Sequence, residues 1–404
     1  LDLKKVGAYC IRPQEALTQY ANYKIWSYNE MIIEKKSPDL WVFITVIILT
    51  AIGVCMVFSS SYVMGYKWYG DSYYFLKKQL FFSIIALIVF FFAIFTDYHH
   101  FKKFALPLLI LSIILLSMLF IPNLGRSAGG AKRWIKIAFL PFQPQPSELA
   151  KFALILYMAE FLTRKQLKDI KTFIKGILPS IIIVLVMFLL ILEEPDFSTS
   201  LIILGISFIM LFIGGTRVLQ LYSLIIASIP FGIFMLLKEE YRKIRLLSFL
   251  NPWKDPLDSG FHIIQSLLAL GSGRILGIGL GASKQKYFYL PDQHTDFIFS
   301  IIGEEFGFIG TLIIIILFII LLWRGFRIAL NSVDEFGTLL AAGITSMLVF
   351  QSIINVGVVT KIIPTTGITL PFISFGGSSL IMNMFCAGIL LNISRYKIKE
   401  GGVN

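Results

Sequence analysis

The chain has 404 residues, 56% of them hydrophobic, with a formal net charge of +12 and a mean hydropathy of +0.79. A water-soluble domain cannot hide that much apolar surface, so soluble classes are excluded and the apolar runs must meet lipid. Three scattered cysteines, Cys10, Cys55 and Cys386, and four histidines, His99, His100, His262 and His294, match neither a disulfide framework nor a zinc-type spacing.

Residues 1–30 are polar and aromatic and lack the charged-then-apolar layout of a signal peptide. They are read as an upstream extension without a catalytic role, within a cytosolic segment 1–37. Apolar runs of 16 to 23 residues then recur, and ten transmembrane helices are predicted, at 41–60, 80–95, 105–121, 147–163, 176–192, 198–215, 219–237, 306–323, 337–359 and 373–393. The expected fold is one all-α membrane domain, 38–395, with outer loops at 122–146 and 238–296 and a cytosolic tail at 396–404. The larger loop joins predicted helices 7 and 8.

An even number of spans puts both termini on one side of the membrane. With cytosolic termini the inner segments hold 19 Lys and Arg and the outer segments 16. Four of the outer ones fall in 122–146 and eight in 238–296, so the short loops obey the positive-inside bias. The two exceptional loops either tile a surface or present cations to an anionic lipid headgroup.

The first of these loops leads into a span as GRSAGGAKRWIKIAFLPFQPQPSELAKF, 125–152. Lys132, Arg133 and Lys136 supply cations, Arg133 being suited to bidentate phosphate contact, and Trp134 is placed as an interfacial anchor. Ser147 is positioned as a helix N-cap with Glu148 in the first turn. Glu148 and Lys151, three apart, share a helix face. They are either a plain local pair or an ionisable pair lining a wet cavity.

The second loop ends in YLPDQHTDFIFSIIGEEFG, 289–307, where Asp292, His294, Asp296, Glu304 and Glu305 crowd the mouth of a span. Asp296 is placed either to cap a helix or to act as a general base tuned by His294, Asp292 and a nearby Lys. Glu304 and Glu305 point about 100° apart on a helix, so they are not expected to share one partner. One of them is expected to cap or pair at a helix beginning at Phe306. GSGRILGIG superficially resembles a dinucleotide fingerprint but lacks the preceding strand. IIQSLLAL reads as a short amphipathic helix on the membrane surface. The last distinctive stretch is TKIIPTTGITLPFISFGGSSL, 360–380, whose Gly376, Gly377, Ser378 and Ser379 permit close helix packing or a broken helix beside a cavity.

The blocks GAKRWI, QPSELAK, EPDFSTS, FLNPWKDP, QSLLALGSG, FYLPDQHTDFIFSIIGEEFGFIG and TTGITLPFISFGGSSL occur in this order between 130 and 380. Together they closely resemble the SEDS family (shape, elongation, division and sporulation), and their wording is closer to the FtsW and SpoVE branches than to RodA. The chain departs from the family in EPDFSTS, which lacks a Gly, in Gly260-Phe261-His262 and in Phe375. The resemblance implies a peptidoglycan glycosyltransferase that polymerises lipid II at the outer face of the cytoplasmic membrane, at the septum during division. It implies Asp296 as the base and maps the family's motifs onto Arg133 with Trp134, Ser147, Glu148 and Lys151, and Glu304 with Glu305. Arg133 and Lys151 would hold the leaving pyrophosphate, with Arg242 or Lys286 as a second outer-loop cation and Ser378 in the last motif. One base suffices for an inverting attack that forms a β-1,4 link. No dedicated metal cage is visible, so a divalent cation such as Mg or Mn would be shared with the pyrophosphate. A class B penicillin-binding transpeptidase and other division proteins are the expected partners, and nucleic acid is not. The alternatives are a lipid II flippase, which intramembrane Glu148, Lys151 and Glu304 would also suit, and a non-enzymatic division scaffold.

Overall fold

The computed structural model describes residues 33–121, 125–128, 131–135, 143–165 and 172–398. The expected extension 1–30, Lys136 and residues 399–404 lie outside them. The main helices are α1 (Leu40–Tyr69), α2 (Tyr74–Phe95), α3 (His99–Lys102), α4 (Ala105–Met118) and α5 (Pro146–Arg164). They continue as α6 (Leu178–Glu193), α7 (Phe197–Ile213), α8 (Val218–Lys238), α9 (Glu240–Leu250) and α10 (Phe261–Gly273). The chain closes with α11 (Ile298–Leu330), α12 (Glu335–Val359) and α13 (Gly377–Arg395). Four short strands are β1 (Ile33–Lys35), β2 (Gly125–Ala128), β3 (Ala131–Ile135) and β4 (Tyr396–Ile398).

Each of the ten stretches read from the sequence falls on a helix. Among the described residues seven helices are long and apolar enough to cross a membrane, while α4 and α7 are shorter apolar helices. The α5 helix has 19 residues but carries Glu148, Lys151, Glu160 and Arg164. Several ends differ from the expected ones. The α1 helix runs on through polar and aromatic residues to Tyr69, because backbone hydrogen bonding does not need apolar side chains, and stops at Gly70 with φ 68°. The eighth span starts at Ile298, eight residues before the expected Phe306, and is broken at Gly307, where φ is 67° and ψ −162°. A Cβ at Gly307 would come within 2.4 Å of the Gly277 nitrogen, so the break lets the 274–277 backbone pass. There Phe308 N–H donates to the Arg274 carbonyl at 2.9 Å.

Burial follows composition. The α8 helix is apolar and almost wholly exposed, with Leu219 81% accessible, as suits a helix in lipid. The α5 and α12 helices are buried nearly all round and carry the polar residues, among them Glu148, Lys151, Gln351 and Asn355. Polar side chains concentrate where neighbouring helices, and not hydrocarbon, surround them. The loop 238–296 is largely structured: α9 follows α8, and α10 packs against α11. The expected surface helix at IIQSLLAL is thus part of the bundle, with Ile263, Ile264, Ser266 and Ala269 buried.

The β1 and β4 strands pair antiparallel, bringing residue 33 and residue 398 to the same end of the bundle. At that end Asp39 caps α1 and pairs with Arg324 of α11. The polar motifs gather at the opposite end.

Candidate active site

Four segments distant in sequence build one polar floor. Asp296 stands two residues before α11, partly buried. Asn355 of α12 donates from Nδ2 to the Asp296 carbonyl and to the Ile368 carbonyl, both at 2.8 Å. Ser374 donates to the Thr295 carbonyl at 2.6 Å, and Phe375 N–H donates to the His294 carbonyl at 2.9 Å. These bonds weld the 292–296 turn to the 360–376 loop. The third segment is the β2–β3 hairpin, whose Arg133 Nη2 donates to the Pro195 carbonyl at 2.6 Å, with Nε 3.6 Å from Asp196 Oδ2. Asp196 belongs to the fourth segment and caps α7 by accepting from Thr199 N–H at 3.1 Å.

Gly367 is where the groups meet. A Cβ built there would lie 2.8 Å from Arg133 Nη1 and 3.6 Å from Asp296 Oδ2, so the missing side chain leaves room for the guanidinium beside the carboxylate. Burial pushes the Asp296 carboxyl up to about 7; Asp292 and Asp196 push it the same way, and Arg133 and Arg245 oppose them. A group titrating there can accept a proton near neutral pH. Glu194, buried at 1% exposure, is raised to about 9 by burial and by Asp196 against the pull of Arg133, so it is neutral.

The sequence-derived set divides among several places. Asp296 and Arg133 both border Gly367, and Trp134 follows Arg133, opposite Arg126 in the hairpin. Lys151 Nζ and Glu148 Oε1 form a buried pair at 2.9 Å near the start of α5. Ser147 is not the cap: Gln145 is, with Pro146 opening the helix, because proline's missing N–H is not needed at the first position. Ser378 accepts from Gln145 N–H at 3.3 Å and donates to the Gln143 carbonyl at 3.2 Å, pinning the approach to α5.

Glu304, Glu305 and Lys286 lie in a separate buried knot. Glu304 accepts from Ser283 Oγ and, at 3.0 Å, from Lys284 N–H. Glu305 accepts from Ser59 Oγ at 2.7 Å, from Ser283 N–H at 3.4 Å and from Lys286 Nζ at 3.3 Å. The two acids therefore do share a partner, Ser283, because the 278–286 loop wraps the helix across both their faces. Neither caps a helix at Phe306. Arg242 donates to the Met235 carbonyl at 2.7 Å and the Leu192 carbonyl at 3.5 Å, bracing the α8–α9 elbow. The cation of α9 whose charge acts on Asp296 is Arg245, whose Nη1 reaches the Thr365 carbonyl at 3.5 Å.

His294 does not tune Asp296. Its ring packs on Phe75 at 4.6 Å and Phe375 at 5.5 Å, and burial lowers it to about 4, so it is neutral. The expected lysine is replaced by two arginines. Sequence reasoning gave no role to Arg245, Asn355, Gly367, Glu194 or Asp196. The EPDFSTS block was the available signal for the last two, but nothing in the sequence separates Arg245 from its neighbour Arg242.

Residues 39–399 match the family described as cell cycle protein, which groups FtsW, RodA and SpoVE. A probable peptidoglycan glycosyltransferase FtsW from Geobacter metallireducens is 45% identical over 356 residues, covering 88% of this chain and 94% of that one. The stage V sporulation protein E of Bacillus subtilis is 44% identical over 366 residues, covering 91% and 99%. Among solved structures, a chain of a peptidoglycan synthase complex described as coordinating polymerization and crosslinking aligns with a TM-score of 0.71 at 28% identity, over 89% of this chain and 98% of that one. The rod shape determining protein RodA of Thermus thermophilus aligns with a TM-score of 0.64 at 26% identity, over 89% and 97%.

Proposed function

The chain belongs to the FtsW, RodA and SpoVE family of cell cycle proteins, and from that premise we propose that it is a membrane peptidoglycan glycosyltransferase acting at the Asp296 end of its bundle. The observation that carries this reading is that Asp296 and Arg133 both border Gly367, with Arg245 adding its positive charge to the field at the same carboxylate.

Asp296 takes the proton from the 4-hydroxyl of the acceptor sugar as that oxygen attacks the anomeric carbon of the donor. The bond from that carbon to the lipid pyrophosphate breaks on the opposite side, so the centre inverts, a β-1,4 link forms and no covalent enzyme intermediate is needed. Negative charge grows on the departing pyrophosphate, and Arg133 and Arg245 are the cations placed to stabilise it. Lys151, Lys286 and Arg242, whose polar atoms are engaged inside the protein, shape the site from behind. Among the described residues no three His, Cys, Asp or Glu side chains converge to hold a metal ion. A divalent cation, where one takes part, would be shared with the pyrophosphate. The substrate is lipid II, presented at the outer face with both termini cytosolic. The work is septal, beside a class B penicillin-binding transpeptidase that crosslinks the new strands.

The test is polymer formation from lipid II by purified protein, with and without a transpeptidase partner, resolved by gel. Wild type is expected to give glycan strands, Asp296→Asn none, and Arg133→Ala and Arg245→Ala strongly reduced yields with unchanged folding. Wild-type yield from Asp296→Asn would move the base elsewhere. No polymer from wild type even with the partner would favour the flippase or scaffold.

A further inference from the structure

The end of the bundle opposite Asp296 holds a cavity of about 690 Å³ that the polymerase reading does not use. Its walls come from the end of α3, the start of α4 and the end of α5. Lys102, Lys103, Arg164 and Lys165 line it, with Glu160 the single acid among the described residues and Tyr157 among the apolar walls. Glu160 is buried and paired with Arg164, which leaves the positive charges of Lys102, Lys103 and Lys165 among the described lining residues. Lys165 lies over the Phe161 ring at 5.3 Å and Lys102 over Phe336 at 5.6 Å. Leu106 is 55% and Phe104 59% exposed at the same corner, so the cavity is flanked by an apolar face suited to acyl chains. Its volume is that of a small-molecule site, roughly 300–1,000 Å³.

We propose that this cavity binds a phosphate-bearing headgroup, that of an anionic phospholipid in the leaflet opposite the polymerisation site. The basic lining supplies phosphate contacts, with Lys102, Lys103 and Lys165 acting as point charges. Juxtamembrane cations at an anionic leaflet attract such lipids. The apolar corner explains why a lipid is favoured over a free anion. Placing the site in the inner leaflet rests on the outward-facing reading of Asp296; the binding itself does not.

The experiment is native mass spectrometry of the full chain released from phosphatidylglycerol or phosphatidylcholine nanodiscs. Wild type is expected to retain phosphatidylglycerol and to exchange phosphatidylcholine freely. The variant Lys102→Gln/Lys165→Gln should lower apparent affinity about fivefold per charge removed, whereas exposed Lys175→Gln, at the same end but outside the cavity, should bind as wild type. Equal retention by the double variant, or equal loss in Lys175→Gln, overturns the proposal. A thermal shift with inorganic phosphate alone, matching that with phosphatidylglycerol, would assign the cavity to a free anion and overturn the lipid. Lipid II polymerisation is measured on the same preparations, so failure of this site and failure of the polymerase reading are told apart.

Discussion

Asp296→Asn should separate catalysis from stability as a function of pH. The carboxyl moves from an ordinary value of 3.8 to about 7, chiefly through burial. Each unit is worth about 1.4 kcal/mol, so ionising Asp296 in the folded protein opposes folding by at most about 4 kcal/mol, and by about 2 kcal/mol once its partial exposure is allowed for. Between pH 4 and 7 the unfolded chain has already released this proton while the folded chain keeps it. Wild-type stability therefore falls as pH rises through that window and the loss is complete above 7. Asparagine carries no charge at any of these pH values. Its advantage in thermal unfolding, followed by intrinsic fluorescence in detergent, should widen from pH 4 to pH 8 and then stay constant. In the same range wild-type polymerisation should rise with pH, half-maximal near 7, and the variant should lose about 10²–10⁴-fold. A gap in unfolding temperature that does not change with pH would refute the raised carboxyl and with it the physical basis for a base at this position.

The neighbours should move that profile. Asp292→Asn removes a negative charge that raises Asp296 and should shift the rising limb to lower pH, whereas Arg245→Gln should shift it higher, both read from rate against pH. Gly367→Ala puts a methyl 2.8 Å from Arg133 Nη1 and should cut turnover by about one to two orders of magnitude with unfolding temperature little changed; full activity would remove Gly367 from the site. Lys286→Met leaves Glu305 buried without its cation and should destabilise by about 3–5 kcal/mol, while Lys286→Met/Glu305→Leu should recover most of it; no recovery would mean that the ion pair is not the cause. Gly307→Ala should lower the yield of folded protein, because φ of 67° is strained for alanine and the new Cβ meets the 275–277 backbone.

Much of the architecture is legible in the chain. Long apolar runs must become helices in lipid, where every backbone polar group needs an internal partner, so their existence and order follow from composition. The motifs that resemble the family were equally plain, including Asp296 and Arg133. Their ends were not. Helices extend beyond the apolar run when the flanking residues tolerate helix, as at Tyr69, and α11 starts early and breaks at Gly307 because another segment crosses it there. Charged residues near one another in sequence looked like one site. The structure divides them, because Glu304 and Glu305 turn toward the 278–286 loop while Asp296 turns toward the β2–β3 hairpin.

By itself, then, the sequence determined a polytopic helical membrane protein with ionisable groups concentrated at one end, since hydropathy and charge are local properties. Only tertiary structure decided which of those groups share a site. Arg245 and not Arg242 is the α9 cation whose charge acts on Asp296, and His294 is a neutral packing ring, because contacts among distant segments fix which side chains come near one another. The proton affinity of Asp296 belongs to the same level: it comes from burial and from the charges of Asp292, Asp196, Arg133 and Arg245, most of them far away along the chain.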